Sequence, residues 1–231
     1  EAAYQLAVAH EMGFGVKHSP LAAFVLYKNL SRAGHVGAMY DYGRFLYQGL
    51  GPVLDEDAGM SMFKEAAYEG YVPAQVAYGF GLENGGNRYK DYYTPLWWYE
   101  RAMSQGYPDG FYHTARVYRE GKIVGRNTSE ALKLYRKAAD MGVLDATFEL
   151  GLMYKHGAGE GQEDIEKAVN LFMKAAKGGH PGAMYNLGKC YMEGKGVQQD
   201  HSEALWWFVQ CGYRPRDFFL SNSSKSFQLS S

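Results

Sequence analysis

Chemistry would have to come first from the histidines, cysteines and carboxylates. The seven histidines are His10, His18, His35, His113, His156, His180 and His201. No two stand four apart on one helical face, and no His-Glu-x-x-His occurs, so no metal pair is written in the sequence. Cys190 and Cys211 are too few for a disulfide scaffold, and no His/Cys cluster near them makes them zinc ligands; two partly buried thiols are expected. No Gly-x-Ser-x-Gly elbow and no phosphate-binding Gly-x-x-x-x-Gly-Lys loop is present. Gly157-Ala-Gly-Glu-Gly161 has a faint likeness to a phosphate cradle, but its glycines fall on a column that recurs along the whole chain. Asp55-Glu56-Asp57 lacks the alternation and distal Glu of a calcium loop and reads as helix-capping, dipole-favourable charge. The residues therefore name no catalytic, cofactor-binding or metal site. What remains is recognition of another molecule by a surface.

That surface has to be positioned by repeated elements. Gly13, Gly49, Gly85, Gly121, Gly157 and Gly194 recur at intervals of 36, 36, 36, 36 and 37 residues. Gly34, Gly70, Gly106, Gly142 and Gly179 form a second column, and Ala7, Gly43, Gly79, Ala115, Gly151 and Gly188 a third. Tyr27, Phe63, Tyr99, Tyr135, Phe172 and Phe208 are aromatic in the same register. The chain is thus about six copies of one unit, and repeats of this length are supersecondary units that stack.

Each unit reads as two helices. In the second copy Gly37 to Gln48 is the first, with Tyr40, Gly43 and Leu46 on one face, and Gly49 ends it. Asp57 to Glu69 is the second, with Met60, Phe63, Ala66 and Ala67 inward. Pro73, Pro108 and Pro181 stand near the starts of the following units, where the missing N–H costs little. Mid-helix glycine costs roughly 1 kcal/mol relative to alanine. Gly43, Gly79, Gly151 and Gly188 must therefore offset it by close helix contact, with an aromatic of the paired helix over the gap.

Glu149-Leu-Gly-Leu-Met-Tyr154 leading to Gly157-Ala-Gly159, with Lys167-Ala-Val and Lys174-Ala-Ala, resembles the Sel-1-like repeat. So do Gly182-Ala-Met-Tyr-Asn-Leu-Gly-Lys-Cys-Tyr191, Gly194-Lys-Gly-Val197 and Glu203-Ala-Leu-Trp-Trp-Phe208. The resemblance implies an all-α, right-handed α-α superhelix, a solenoid of about six two-helix repeats of 36–37 residues, related to tetratricopeptide arrays. The repeats are expected at 1–36, 37–72, 73–108, 109–144, 145–181 and 182–213, followed by an irregular Ser-rich tail at 214–231. Departures are Asn87-Arg-Tyr-Lys-Asp91 in place of a loop glycine and valine, Pro95 at a second-helix start, and Ile123 for the loop glycine of the fourth copy. Because Glu1 opens directly in a first helix, further repeats or another domain upstream are expected.

The alignment of copies exposes a variable strip on the first helices: Gln5, Val8, Met12; Asp41, Arg44, Gln48; Ala77, Phe80, Asn84; His113, Arg116, Glu120; Glu149, Leu152, His156; Asn186, Lys189, Glu193. Each set is spaced for one helical face, and stacking would align the faces along the concave surface, where such arrays bind. Asp41, Arg44, His113, Arg116, Glu149 and Lys189 are the expected polar contacts for a protein partner. Trp98 and Trp207 align with Leu134 and Leu171 and are expected in the core. Trp97 and Trp206 share a more exposed column with Ser61, Lys133 and Asn170; an exposed hot spot and burial against a neighbouring unit are equally open for them.

Composition narrows the class. With 29 Gly, 20 Tyr, 12 Phe, 4 Trp and 7 Pro in 231 residues, collagen-like, low-complexity and disordered chains are excluded. A formal charge of −1 without a basic stripe argues against nucleic acid, and no apolar run is long enough to enter a membrane. Sequons at Asn29, Asn127 and Asn222, with only two cysteines, favour the lumen of the endoplasmic reticulum or another secretory compartment over cytoplasm or bacterial periplasm. Among relatives of the repeat is the lumenal adaptor of the Hrd-type ubiquitin ligase. That resemblance implies a non-enzymatic scaffold recruiting or assembling partners in endoplasmic-reticulum-associated degradation. The alternatives are a bacterial or cytosolic signalling adaptor that modulates an enzyme or host factor, and the regulatory repeat region of a larger enzyme. Self-association through uncapped solenoid ends is also open.

Overall fold

A computed structural model of the chain describes residues 1–85, 94–158 and 164–213. The Asn87–Asp91 departure, the glycines beyond Ala158 in the fifth loop and the tail 214–231 lie outside the described residues. Among those described there are twelve helices and no strand. They are α1 (Ala2–Met12), α2 (Pro20–Arg32), α3 (Val36–Gln48), α4 (Glu56–Tyr68), α5 (Val72–Asn84), α6 (Pro95–Ser104) and α7 (Pro108–Glu120). Then come α8 (Thr128–Asp140), α9 (Leu144–Lys155), α10 (Ile165–Lys177), α11 (Pro181–Glu193) and α12 (His201–Gln210). Two compact units result, Glu1–Thr114 and Ala115–Ser231, divided within α7. The fold is all-α, with about six two-helix repeats; α3 and α4 start one residue earlier than the sequence implies.

Two local devices turn the chain. Every second helix is capped by a short polar side chain, as in Ser19 to Ala22 N–H, Asp55 to Ala58 N–H and Asp164 to Lys167 N–H. The cap residue's own N–H also reaches back to the preceding helix: Ser19 to His10 O at 2.9 Å, Asp55 to Leu46 O at 2.9 Å, Asp200 to Tyr191 O at 3.0 Å. This bond closes the hairpin. After the second helix, Gly34, Gly70, Gly106, Gly142 and Gly179 take φ between +75° and +95°. The N–H that follows bonds five residues back, as His180 does to Ala175 O at 3.0 Å. That left-handed step is what glycine supplies at these helix exits.

The interior glycines behave as their periodicity predicts. A Cβ on Gly151 would lie 2.7 Å from Phe172 Cε1, and one on Gly188 2.8 Å from Phe208 Cε1. On Gly79 it would meet Tyr99 at 2.9 Å, and on Gly43 Phe63 at 3.0 Å. The missing methyl group lets the paired helix approach and its ring fill the gap. Tyr99 and Phe172 are wholly buried in consequence; Tyr27 and Tyr135, in the repeats that carry Ala7 and Ala115 in that column, are wholly buried too, as are Ala38, Ala74, Ala146 and Ala183. Trp98 and Trp207 join the core, as expected. Both cysteines are free thiols, Cys190 buried and Cys211 half-buried.

Candidate partner-binding grooves

In the first unit the strip residues of three first helices meet. Arg44 and Gln48 of α3, Ala77 and Phe80 of α5 and His113 of α7 line one cavity of about 340 Å³. Tyr40, Tyr47, Phe63 and Tyr107 supply aromatic walls, and Asp109 a carboxylate. Spacing of three or four residues puts each set on one face, so the groove follows from helical periodicity alone. His113 stacks on Tyr99 at 4.9 Å and meets the edge of Phe80 at 5.9 Å, fixing the ring in the wall. Burial, then the nearby Asp109, push the Tyr107 hydroxyl up to about 12, so it stays a neutral donor.

Beneath one end lies a charged network. Arg44 Nη2 donates to Glu11 Oε1 at 2.5 Å and Asp41 Oδ1 at 3.3 Å. The Tyr4 hydroxyl donates to Asp41 Oδ2 at 2.7 Å and the Tyr27 hydroxyl to Glu11 Oε2 at 2.8 Å. Burial holds the Asp41 carboxyl above the usual carboxylate range despite the opposing pull of Tyr4 and Arg44. Burial and these carboxylate partners push both tyrosines well above theirs. Asp41, 8% exposed, thus joins α1 to α3, whereas Arg44 serves the network and lines the groove as well.

In the second unit Arg116 pairs with Glu120 at 3.5 Å along α7, and Glu149 of α9 pairs with Arg119. Lys189 of α11 is exposed. The two open tryptophans separate: Trp206 is 52% exposed, whereas Trp97 is half-buried, edge-on to Trp98 at 4.8 Å and under Arg101 at 5.2 Å. Asn29 and Asn127 are exposed, and Asn127 also caps α8 through Oδ1; Asn222 lies outside the described residues.

Sequence reasoning missed the part played by two histidines. His35 and His180 are N-caps whose Nδ1 accepts from Ala38 and Ala183 N–H, each at 3.0 Å. His35 stacks on Tyr4 at 4.6 Å and His180 on Phe148 at 4.4 Å, so each ring ties a helix start to the preceding repeat. The signal was their place directly after Gly34 and Gly179 at a helix start. His180→Ala is expected to lose about 1 kcal/mol, as a lost cap does, whereas exposed His18→Ala stays within about 0.5 kcal/mol. Urea unfolding of the two variants checks this, and equal midpoints would refute the cap.

No group of His, Cys, Asp or Glu among the described residues could hold a metal, and no described helix is long and apolar enough to cross a membrane. The Sel1 repeat family matches residues 1–35, 36–71, 72–107, 112–143, 144–180 and 181–210. A Sel1 repeat protein from Oxalobacter formigenes is similar in structure, with TM-score 0.78 and 29% identity over 91% of this chain and 86% of that one. A protective antigen of uropathogenic Escherichia coli with an SLR fold gives TM-score 0.75 and 30% identity over 90% of this chain and 44% of that one. Chitin synthase regulatory factor 3 of Schizosaccharomyces pombe is 30% identical over 165 residues, 68% of this chain. The chain spans only 18% of that relative's length. Sel1 repeat proteins act generally as protein-interaction scaffolds. By its six matched segments and its helix pairs, the chain belongs to the Sel1 repeat family.

Proposed function

We propose that the chain is a non-enzymatic adaptor that holds a segment of a protein partner in the aromatic groove of α3, α5 and α7. The observation that carries this reading is the convergence of Arg44, Gln48, Ala77, Phe80 and His113 on one cavity of about 340 Å³. All five belong to the strip that the repeats leave free to vary. Aromatic walls give a partner's side chains contact area at low entropic cost, and Arg44 and Asp109 at the rim orient it. The adaptor works in the lumen of the endoplasmic reticulum, recruiting or assembling partners for degradation; the exposed sequon residues Asn29 and Asn127 and the family resemblance support that placement.

Ala77→Arg places a long side chain in the groove from a half-buried position on its wall. It is expected to weaken partner binding at least about tenfold, the effect of losing roughly 1.4 kcal/mol, with the helical signal unchanged. A photo-reactive residue at Phe80 identifies the partner, and crosslinking that survives Ala77→Arg undiminished would sink the groove reading. Loss of gel mobility shift on deglycosylation tests the compartment. A second reading, modulation of an enzyme, is supported by the role of the fission-yeast relative as a chitin synthase regulatory factor. The crosslinked partner separates the two.

A further inference from the structure

The second unit contains a cavity with a different character. It is about 270 Å³ and lies among α9, α10 and α11, where three lysines, Lys155, Lys189 and Lys195, surround an apolar floor of Phe172, Ile165 and Cys190. Its one lining carboxylate, Glu193, is taken by Lys195 at 2.8 Å. Lys155 Nζ donates to the neutral Oδ1 of Asn186 at 3.3 Å, and Asn186 is itself fixed by a bond from Nδ2 to Gly182 O at 2.9 Å. Among the described residues no carboxylate forms an ion pair with Lys155 or Lys189. Burial raises the Cys190 thiol and Glu193 adds to that, while Lys155, Lys189 and Lys195 all pull it the other way, so the three charges act on the same floor residue.

A folded chain does not gain by gathering like charges. Two lysines on neighbouring first helices, beside a third on the following loop, repel one another, and the repulsion grows next to apolar walls where the effective dielectric falls. An anion entering the cavity would relieve it. We propose that this pocket binds the carboxylate side chains of an acidic peptide segment. The proposal rests on the reading of the chain as a protein scaffold but uses a site separate from the aromatic groove. The lysines are points of charge on flexible stems, which suits successive Glu or Asp side chains of an extended segment better than one bidentate anion. Half-buried Ile165 provides contact for the methylene groups of glutamate.

The test uses a fluorescein-labelled hexaglutamate peptide blocked at both ends, so that only side-chain carboxylates are presented. Anisotropy in the full chain is expected to show saturable binding that weakens as salt rises, because screening acts within about 8 Å at 0.15 M. Lys155→Gln with Lys189→Gln should weaken binding by about tenfold or more, the scale of lost charge-assisted bonds. Lys133→Gln with Lys137→Gln removes the same charge elsewhere and should leave affinity within about twofold of the parent. In a Cys211→Ser background, the peptide should also slow labelling of Cys190 by a thiol reagent. Equal affinity of the two double variants overturns the proposal, as does absence of binding. Protection of Cys190 by inorganic phosphate without protection by the peptide overturns it in favour of a small-anion site. Ala77→Arg should not change peptide affinity. A loss there, with the Lys155/Lys189 variant unaffected, rejects this pocket while leaving the scaffold reading standing.

Discussion

A Gly151→Leu chain is expected to melt well below the parent, by an amount set by one ring. Gly151 sits mid-helix in α9, where the first added carbon would already stand 2.7 Å from Phe172 Cε1 and 2.9 Å from Cδ1. Carbon atoms in contact prefer about 3.5–4.0 Å, so either the ring or the helix must move. Phe172 is wholly buried among Ala168, Val169, Ala175 and Leu187, so any displacement of the ring breaks contacts on its other faces. Overpacking of this kind costs about 1–3 kcal/mol and occasionally more, and the better helix propensity of leucine returns less than about 1 kcal/mol. A net loss of about 2 kcal/mol remains, several degrees in melting temperature for a chain of this size. Phe172→Ala alone should cost about 3–5 kcal/mol through its cavity. If the clash is the cause, the double variant should recover at least about 1 kcal/mol relative to the sum of the singles. Additivity of the two changes would show that glycine is needed at this position for another reason.

That pair of residues was legible in the sequence because both belong to columns. A glycine every 36 or 37 residues in mid-helix and an aromatic on the partner helix in the same register need one explanation, which steric contact supplies. The strip was legible for the complementary reason: residues that change from copy to copy carry no repeated packing duty. Its groove at α3, α5 and α7 follows, since equivalent positions on successive first helices converge there. What single copies do was harder to see. Tyr27 and Tyr99 keep a hydroxyl that Phe63, Phe172 and Phe208 lack, and each donates to a carboxylate 16 residues earlier, Glu11 at 2.8 Å and Glu83 at 2.9 Å. Such a pairing is visible only once the helices are known to pack side by side. The caps at His35 and His180 were obscured by chemistry. Histidine was considered as a metal ligand, and its neutral ring nitrogen also serves as a plain acceptor at a helix start.

Arg44→Ala is the second large effect, and it carries a pH signature. The guanidinium neutralises two carboxylates at once, Glu11 at 2.5 Å and Asp41 at 3.3 Å. Their side chains are only 14% and 11% exposed. Removing one member of a fully buried ion pair costs about 3–5 kcal/mol because the remaining charge is stranded. Arg44 itself is 24% exposed, so water can enter the gap and about 2–3 kcal/mol is expected at neutral pH. Burial already raises the Asp41 carboxyl above its ordinary value, and loss of the arginine raises it further. A folded-state value above the unfolded one means that the folded chain binds the proton more readily. The penalty is then complete above the folded value and shrinks as pH falls toward the unfolded value near about 4. The difference in melting temperature between Arg44→Ala and parent should therefore narrow between pH 7 and about pH 4. The exposed pair Lys133–Glu130 at 3.2 Å gives the contrast. Lys133→Ala should cost about 0.5 kcal/mol or less at either pH, the ordinary worth of a surface pair. A gap for Arg44→Ala that stays constant with pH would mean that the stranded carboxylates are not the source of the loss. Because the same guanidinium lines the groove, weaker partner binding by this variant has two possible origins. Asp41→Asn separates them, since it alters the network while leaving Arg44 at the groove wall. Binding that survives Asp41→Asn and fails in Arg44→Ala assigns the loss to the missing contact.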